Sequence, residues 1–494
     1  MRSAPPPERP ITQQGADYDH PREACGVLAV VSARERVAPL IADGLHALQH
    51  RGQEAAGLAV VHESRITVVK DVGLVTDVLS RRRIGFLDGQ IGIGHARYST
   101  TGSSSWENAQ PCFRSTLQVD FAVGHNGNLT NTLELAQGGD ASPAGMESLA
   151  TSDSDVIAAL LCQPLESGAP ETQTLEGALK HVLPRLEGAF SLVLTDSTSI
   201  IGVRDPNGFR PLCLGRLDDA WVRASETAAL DALGAEFVRE VLPGEMMVIG
   251  QDSEPRSVNP FPVERVQPRL CIFEFVYMAR PDSQLYGREV HGARARMGEM
   301  LARKAPVDAD IVMGVPDSGL PAAEGYAQAS GLPYGSGLVK NRYIGRTFIN
   351  PTQGEREKNA RRKLNVLTGR VRGKRLVVVE DSVIRGTTTR YLSKMLREAG
   401  ATEVHLRVAL PPVKWPCFYG IDIGTPDELL GASRSIEEIR GLLGVDTIAF
   451  LTVPELRSAI GVPGGGFCDA CMTNDYPTSV GRRADKLMLE RSPA

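Results

Sequence analysis

No stretch of this 494-residue chain approaches the ~18–20 consecutive apolar residues that a membrane span requires, so a spanning protein is not expected. A cationic excess is missing too: 54 basic side chains face 59 acidic ones, a formal net charge of −5, which argues against nucleic acid as a default partner. The first 24 residues, rich in Pro, Arg, Asp and Gln, hold no apolar segment of the kind a secretory signal needs. A cytoplasmic chain keeps its thiols reduced, so the eight cysteines do not read as a disulfide framework. Some are expected as metal ligands or nucleophiles and the others as packing. No repeat of solenoid length is visible. What is present is an ordinary globular composition, 42% hydrophobic and 23% charged, at a length that suggests two or three domains. A soluble enzyme of several domains is the class that remains.

Residues 1–24 have no periodicity and read as a flexible leader. Val27–Val31 is then a short β-like run, and Val37, Leu40, Ile41, Leu45 and Leu48 follow at helical spacing, predicting a helix over 36–49. Short β-branched or aliphatic runs recur at 66–69, 91–93, 121–123, 190–194, 200–203 and 246–249, separated by Gly, Asn, Asp and Pro. They predict a largely antiparallel α+β sandwich over 25–255. A Pro- and charge-rich stretch, 252–269, reads as a connection. Beyond it, strands expected at 311–315, 376–379, 404–410 and 447–453 alternate with helices near 288–304, 320–330, 388–399 and 435–443. That rhythm predicts a doubly wound α/β domain within 256–494, with ligands at the carboxyl ends of its strands.

In this second half, the strand Leu376–Val379 runs into Glu380 and Asp381, then into Ser382-Val-Ile-Arg385-Gly386-Thr387-Thr388-Thr389. Backbone N–H groups and threonine hydroxyls at a helix start favour a phosphate dianion. Carboxylates just upstream can accept ribose hydroxyl bonds and organise a divalent cation. The order resembles the phosphoribosyl-pyrophosphate (PRPP) motif of type I phosphoribosyltransferases, with Glu380 where that family usually has Asp. The resemblance implies PRPP contacts from Glu380, Asp381, Arg385, Gly386, Thr387 and Thr388. Gly314-Val-Pro-Asp317-Ser318-Gly319 resembles the pyrophosphate-side loop, adding Asp317. Lys340 to Ile349 resembles the loop that closes over PRPP, adding Lys340.

In the first half, Cys25 stands at the head of the first expected strand. Around it are Leu48-Gln-His50-Arg51-Gly52-Gln53-Glu54-Ala-Ala-Gly57, Gly94-His95-Ala-Arg97-Tyr98, Gly124-His125-Asn126-Gly127-Asn128 and Ser152-Asp153-Ser154. Together they resemble the N-terminal-nucleophile (Ntn) glutamine amidotransferases, whose mature chain begins with the cysteine. A free α-amino group has a pKa near ~7.7–8.0 and can take the thiol proton, whereas an amide nitrogen cannot. The resemblance therefore implies that 1–24 is a propeptide and that Cys25, with its own α-amino group, is the nucleophile. It implies oxyanion donors in Asn126 and the Gly127 N–H, a grip on the glutamine carboxylate by Arg97, one on the α-ammonium by Asp153, and a glutamine-site position for Arg51. His95 and His125 offer a Cys–His dyad as the alternative.

Cys271, Cys417 and the pair Cys468-Asp-Ala-Cys471 could supply four thiolates, which suit tetrahedral zinc as well as an iron–sulfur cluster; spacing does not decide. From Cys25 onward the chain resembles the PRPP amidotransferases, in the iron–sulfur, propeptide-containing branch. That resemblance implies one [4Fe–4S] cluster per subunit on these four cysteines and one Mg²⁺ per subunit on Ser318, Glu380 and Asp381. It implies an Ntn sandwich followed by a type I phosphoribosyltransferase domain, which hydrolyses glutamine and passes the ammonia to PRPP to form 5-phosphoribosylamine. A cytoplasmic homotetramer inhibited by purine nucleotides is implied as well. Two alternatives stand beside it: glucosamine-6-phosphate synthase, which shares the glutaminase half, and a non-catalytic nucleotide sensor.

Overall fold

A computed structural model describes residues 25–98, 105–137, 152–167, 169–341, 364–423, 425–464 and 466–480. The leader 1–24 and positions 342–349 of the basic loop lie outside these described residues. The first unit contains β1 (Gly26–Ser32), β2 (Ala55–His62), β3 (Arg65–Val72), β4 (Ile91–Arg97), β5 (Cys112–Ser115), β6 (Asp120–Leu129), β7 (Gly188–Thr195), β8 (Ser199–Arg204), β9 (Cys213–Leu217), β10 (Ala220–Ala224), β11 (Glu236–Glu240), β12 (Met246–Gly250) and β13 (Arg256–Val258). Among the described residues these form a sheet in the order β11-β9-β10-β1-β4-β2-β3 and a second in the order β13-β12-β8-β7-β6-β5.

The two sheets face each other. Val27, Ala29 and Val31 of β1 pack with Ile91 and Ile93 against Ala122, Val193, Ile200 and Met247 from the opposite sheet. The alternate residues Leu28 and Val30 point the other way, onto Val37, Ile41 and Leu45 of the Val37–Ala47 helix. Both faces of β1 are thus covered, which is why it reads as an unbroken apolar run rather than as alternation. The outer face of the second sheet is covered by the helices Asp153–Glu166 and Leu175–Val182, through Val156, Ile157, Leu160, Leu175 and Leu179 against Phe121, Leu192 and Leu194. The result is a four-layer αββα sandwich, in which each sheet loses apolar surface to water on both sides.

The second unit continues with β14 (Leu270–Cys271), the hairpin β15 (Gln284–Leu285) and β16 (Arg288–Glu289), β17 (Ile311–Gly314), the pair β18 (Leu338–Lys340) and β19 (Leu364–Val366), β20 (Arg375–Glu380), β21 (Glu403–Val408), β22 (Thr447–Phe450) and β23 (Phe467–Cys468). Strands β17, β20, β21 and β22 form a parallel sheet in the order β17-β20-β21-β22. Val377 and Val379 of β20 pack into one face and Leu376 and Val378 into the other. The helices Val290–Lys304, Leu320–Ser330, Thr387–Glu398 and Ile436–Leu443 supply the covering layers.

The α+β and α/β architecture expected from the sequence is therefore present, with local differences. The stretch 252–269 is not only a connection: Arg256–Val258 pairs with β12 as an edge strand, so the first sandwich extends past residue 255. The Ala-Ala-Gly57 motif lies in a strand, β2, paired on both sides by β3 and β4. The Asp153–Glu166 helix was not expected from periodicity; it opens where Ser152 accepts the Asp155 N–H at 3.3 Å, an N-cap hidden inside the motif. Among the described residues no helix is long and apolar enough to cross a membrane.

Candidate functional site

Cys25 lies at the head of β1, 4% exposed, and its Sγ donates to the Tyr98 carbonyl at 3.2 Å. Burial pushes the thiol up to about 11, outweighing the Tyr98 hydrogen bond and the nearby Arg97 guanidinium. At neutral pH it is thus a thiol, and attack requires a base. The cavity beside it is lined by Cys25, Arg97, Tyr98, Gln110, His125, Gly127 and the run Ser152–Ser154. Strands β1, β4 and β6 and the N-terminus of the Asp153–Glu166 helix converge there, which brings together four of the sequence-predicted residues: Cys25, Arg97, Gly127 and Asp153.

Asn126 is fully buried beside the cavity, and among the described residues neither its Oδ1 nor its Nδ2 has a hydrogen-bond partner. A buried amide left unsatisfied costs about 1–3 kcal/mol, which makes the Asn126 side chain a candidate to bond a ligand at the cavity. Gly127 follows with φ +153°, and a Cβ there would lie 2.0 Å from the Ala189 carbonyl. Only glycine fits that bend. At Asp153, burial pushes the carboxyl up, but His125 at 3.5 Å and the N–H groups of Leu129 (3.3 Å) and Ser154 (2.8 Å) hold it below its ordinary value. The side chain is an anion at the cavity wall.

The two histidines do other work. His95 Nε2 donates to the His125 carbonyl at 2.9 Å, and burial pushes the imidazole down to about 3. His125 Nε2 donates to the Ala189 carbonyl at 3.3 Å, while Nδ1 faces Ser154 and Asp153. Among the described residues the Cys25 thiol hydrogen-bonds to the Tyr98 backbone, and neither imidazole hydrogen-bonds to it. A Cys–His dyad is not what the geometry supplies.

Arg51 differs from its expected position. It does not line the cavity; its fully buried guanidinium donates to Glu226 and to Glu274. Burial alone would raise Glu226, but Arg51 and His50 hold it well below the usual carboxylate range. Arg210 joins the same group, donating to Glu274 at 3.3 Å and to the Tyr419 carbonyl at 2.7 Å. Arg51 is therefore part of a buried ion network at the junction of the two units.

In the second unit, β20 ends in Glu380, fully buried, followed by Asp381 at 2% exposure. The Asp381 carboxylate accepts hydrogen bonds from Ser318 and, at 2.5 Å, from Ser382. The loop ends at Gly386, φ +74°, which caps the Thr387–Glu398 helix so that its first-turn N–H groups open toward the loop. Asp317 pairs with Lys340 at 2.7 Å and Arg385 with Glu428 at 3.0 Å. The hydroxyl and carboxylate oxygens of Ser318 and Asp381 are hard donors of the kind magnesium takes.

Cys271 and Cys468 stand in register across the parallel pair β14–β23. The carbonyl of Cys471 accepts the N–H groups of Lys414 (2.9 Å) and Trp415 (3.0 Å), which draws in the segment carrying Cys417. All four are free thiols. Burial pushes each of them up, Cys271 to about 12, and Cys468 and Cys471 are raised further by the other cysteines nearby. Such thiols become thiolates only when a cation joins them, which fits a soft metal group. As the side chains stand, among the described residues no three His, Cys, Asp or Glu groups are arranged around one metal position.

Tyr98, Gln110, Ser152 and Ser154 line the cavity without having been given a role from the sequence. Nothing in the local pattern marks Gln110, whose role depends on partners 15 and 44 positions away.

The glutamine amidotransferase domain family matches residues 95–232 and the phosphoribosyl transferase domain family residues 293–411. The chain is similar to the amidophosphoribosyltransferase of Mycobacterium leprae (strain TN), 50% identical over 483 residues, 95% of this chain and 84% of that protein. It is similar to that of Bacillus subtilis (strain 168), 45% identical over 467 residues, 93% of this chain and 95% of that protein. Among solved structures, glutamine PRPP amidotransferase from B. subtilis, complexed with ADP and GMP, matches with a TM-score of 0.84 at 43% identity, covering 93% of this chain and 98% of that one. A structure described as the allosteric regulatory enzyme of purine biosynthesis matches at 0.86 and 42%, covering 95% and 99%.

Proposed function

The chain belongs to the amidophosphoribosyltransferase family, and from that premise we propose how its own residues divide the work. The reaction hydrolyses glutamine in the first unit and transfers the ammonia to PRPP in the second, giving 5-phosphoribosylamine, pyrophosphate and glutamate at the entry to purine synthesis. The observation that carries the residue assignment is the cavity holding Cys25, Arg97, Gly127 and Asp153 beside the unpartnered amide of Asn126.

Removal of residues 1–24 frees the α-amino group of Cys25, and that amine takes the thiol proton. The thiolate attacks the glutamine side-chain carbonyl while Arg97 holds the α-carboxylate and Asp153 the α-ammonium. Asn126 Nδ2 and the Gly127 N–H donate to the oxyanion that forms. The intermediate collapses by returning the proton to the leaving nitrogen, which departs as ammonia and leaves a γ-glutamyl thioester. Water then releases glutamate and restores the thiol. Keeping the ammonia inside the protein prevents its protonation, which would remove the lone pair that attacks C1 of PRPP.

In the second unit, Glu380 and Asp381 accept the ribose hydroxyls, Arg385 to Thr388 hold the 5-phosphate at the helix start, and Asp317 and Lys340 serve the pyrophosphate. Ser318 and Asp381, with Glu380 behind them, would hold Mg²⁺, which when bound neutralises charge on the departing pyrophosphate. Cys271, Cys417, Cys468 and Cys471 would hold a [4Fe–4S] cluster that ties the C-terminal tail to the junction of the units. Zinc is the second reading, favoured by the same four thiols. A cytoplasmic homotetramer under purine nucleotide control completes the proposal.

Intact mass of anaerobically purified protein, paired with iron and sulfide analysis, tests this directly. A chain beginning at Cys25 with about four irons is the expected result. A full-length active chain would overturn the α-amino base, and zinc without iron would replace the cluster. Cys25→Ala is expected to abolish glutamine-dependent synthesis and leave ammonia-dependent synthesis intact; loss of both would contradict the two-site division.

A further inference from the structure

Strand β6 and the start of the Asp153–Glu166 helix form different walls of the cavity, and the side chain of Gln110 is bonded to both. Its Oε1 accepts the His125 N–H at 2.7 Å, one residue before Asn126. Its Nε2 donates to Ser154 Oγ at 2.8 Å, one residue after Asp153. The amide has one workable orientation, because the backbone N–H can only donate. Ser154 Oγ then lies 3.2 Å from His125 Nδ1 and 3.4 Å from Asp153 Oδ1, closing a ring of side chains behind the cavity. Gln110, His125, Asp153 and Ser154 are each at most 4% exposed, so water does not compete for these bonds. The backbone of Gln110 is seated as tightly: a Cβ on Gly57 would lie 2.3 Å from its carbonyl oxygen.

We propose that Gln110 is a positioning residue that fixes the distance between the oxyanion donors Asn126–Gly127 and the carboxylate of Asp153, and thereby the length of amino-acid amide the site accepts. The inference rests on the roles proposed above for those three residues. A glutamine is engaged at both ends, its α-ammonium on Asp153 and its side-chain carbonyl at the oxyanion donors. Asparagine is one methylene shorter and cannot satisfy both ends across a fixed span. When the span loosens, the ammonium contact weakens first and the discrimination between the two amides narrows.

The test uses the processed enzyme and compares Gln110→Met, Ser154→Ala and Asp153→Asn with the parent. Pyrophosphate release from PRPP is measured with glutamine, asparagine or ammonia as the nitrogen source. Gln110→Met is expected to raise KM for glutamine about tenfold with a smaller fall in kcat, and to narrow the glutamine-to-asparagine ratio of kcat/KM. Ammonia-dependent release should stay within about twofold, showing an intact second site. Ser154→Ala should move KM in the same direction. An unchanged KM in Gln110→Met, with a raised KM in Asp153→Asn, overturns the positioning role alone. An unchanged KM in Asp153→Asn overturns the Asp153 assignment beneath it. Loss of glutamine- and ammonia-dependent release together, in both Gln110→Met and Ser154→Ala, would mark a general structural role and also overturn the proposal.

Discussion

At the residue scale, burial sets the charge state of the groups around Cys25. The thiol is pushed up to about 11, so it waits for a proton acceptor, while Asp153 in the same wall stays ionised because its hydrogen bonds outweigh burial. His95 shows the converse. Its ring is fully buried, Nδ1 has no partner among the described residues, and burial pushes it down from about 6.5 to about 3. With the folded value depressed, the native state binds fewer protons than the unfolded chain below pH ~6.5. The stability due to neutral His95 is therefore fully present above that pH and is lost as the pH falls toward 3, on the order of 5 kcal/mol in total. Thermal midpoints measured from pH 8 down to pH 4 are expected to fall less steeply for His95→Gln than for the parent. Equal slopes would remove His95 as the acid-sensitive group.

At the scale of elements, both candidate sites share one device, a buried strand that ends in a backbone turn at the site. β6 delivers Asn126 and the glycine-only bend at 127. β20 delivers Glu380 and Asp381 to a loop that ends on a helix N-terminus. The carbonyls of Glu380 and Asp381 accept the N–H groups of Ala409 (3.0 Å) and Leu410 (2.8 Å), which anchors the turn to the end of β21. Asp381→Ala removes the acceptor for Ser318 and Ser382 without touching that backbone. Synthesis from either nitrogen source is expected to fall about a hundredfold or more, with glutamine hydrolysis spared. Normal ammonia-dependent synthesis in this variant would dismiss Asp381 from the PRPP site.

At the scale of the whole molecule, the units meet through charge. Arg51 donates to Glu226 of the first unit and Glu274 of the second, and Arg210 links Glu274 to the Tyr419 carbonyl. Glu226 also accepts the Ser283 hydroxyl at 2.6 Å. Beside this network Gly420 packs on Gly127, where a Cβ would meet the Gly127 carbonyl carbon at 3.1 Å. Arg51→Leu removes the cation shared by two buried carboxylates, leaving Glu274 to Arg210 and Glu226 to His50 and Ser283, and is expected to lower unfolding stability by about 3 kcal/mol, read by urea denaturation. KM for glutamine in the folded enzyme should hold within about twofold, since Arg51 does not line the cavity. A raised KM at unchanged stability would return Arg51 to the glutamine site.

Much of this was legible along the chain because its signals are local. β1 and β20 are continuous apolar runs, since both of their faces are covered, and Glu380-Asp381 through Thr387 is a strand, turn and helix start in consecutive residues. Cys25, Asn126 and Gly127 were candidates from the sequence because the short motifs that carry them resemble those of the Ntn glutamine amidotransferases. The sequence by itself determined the two architectures, the order of the units and the nucleophile candidate. Tertiary structure alone decided that Arg51 serves the junction, that His95 and His125 do not serve Cys25, and that Gln110 spans the cavity. Those roles depend on partners up to 223 positions away, on desolvation and on backbone bends, none of which has a local residue pattern.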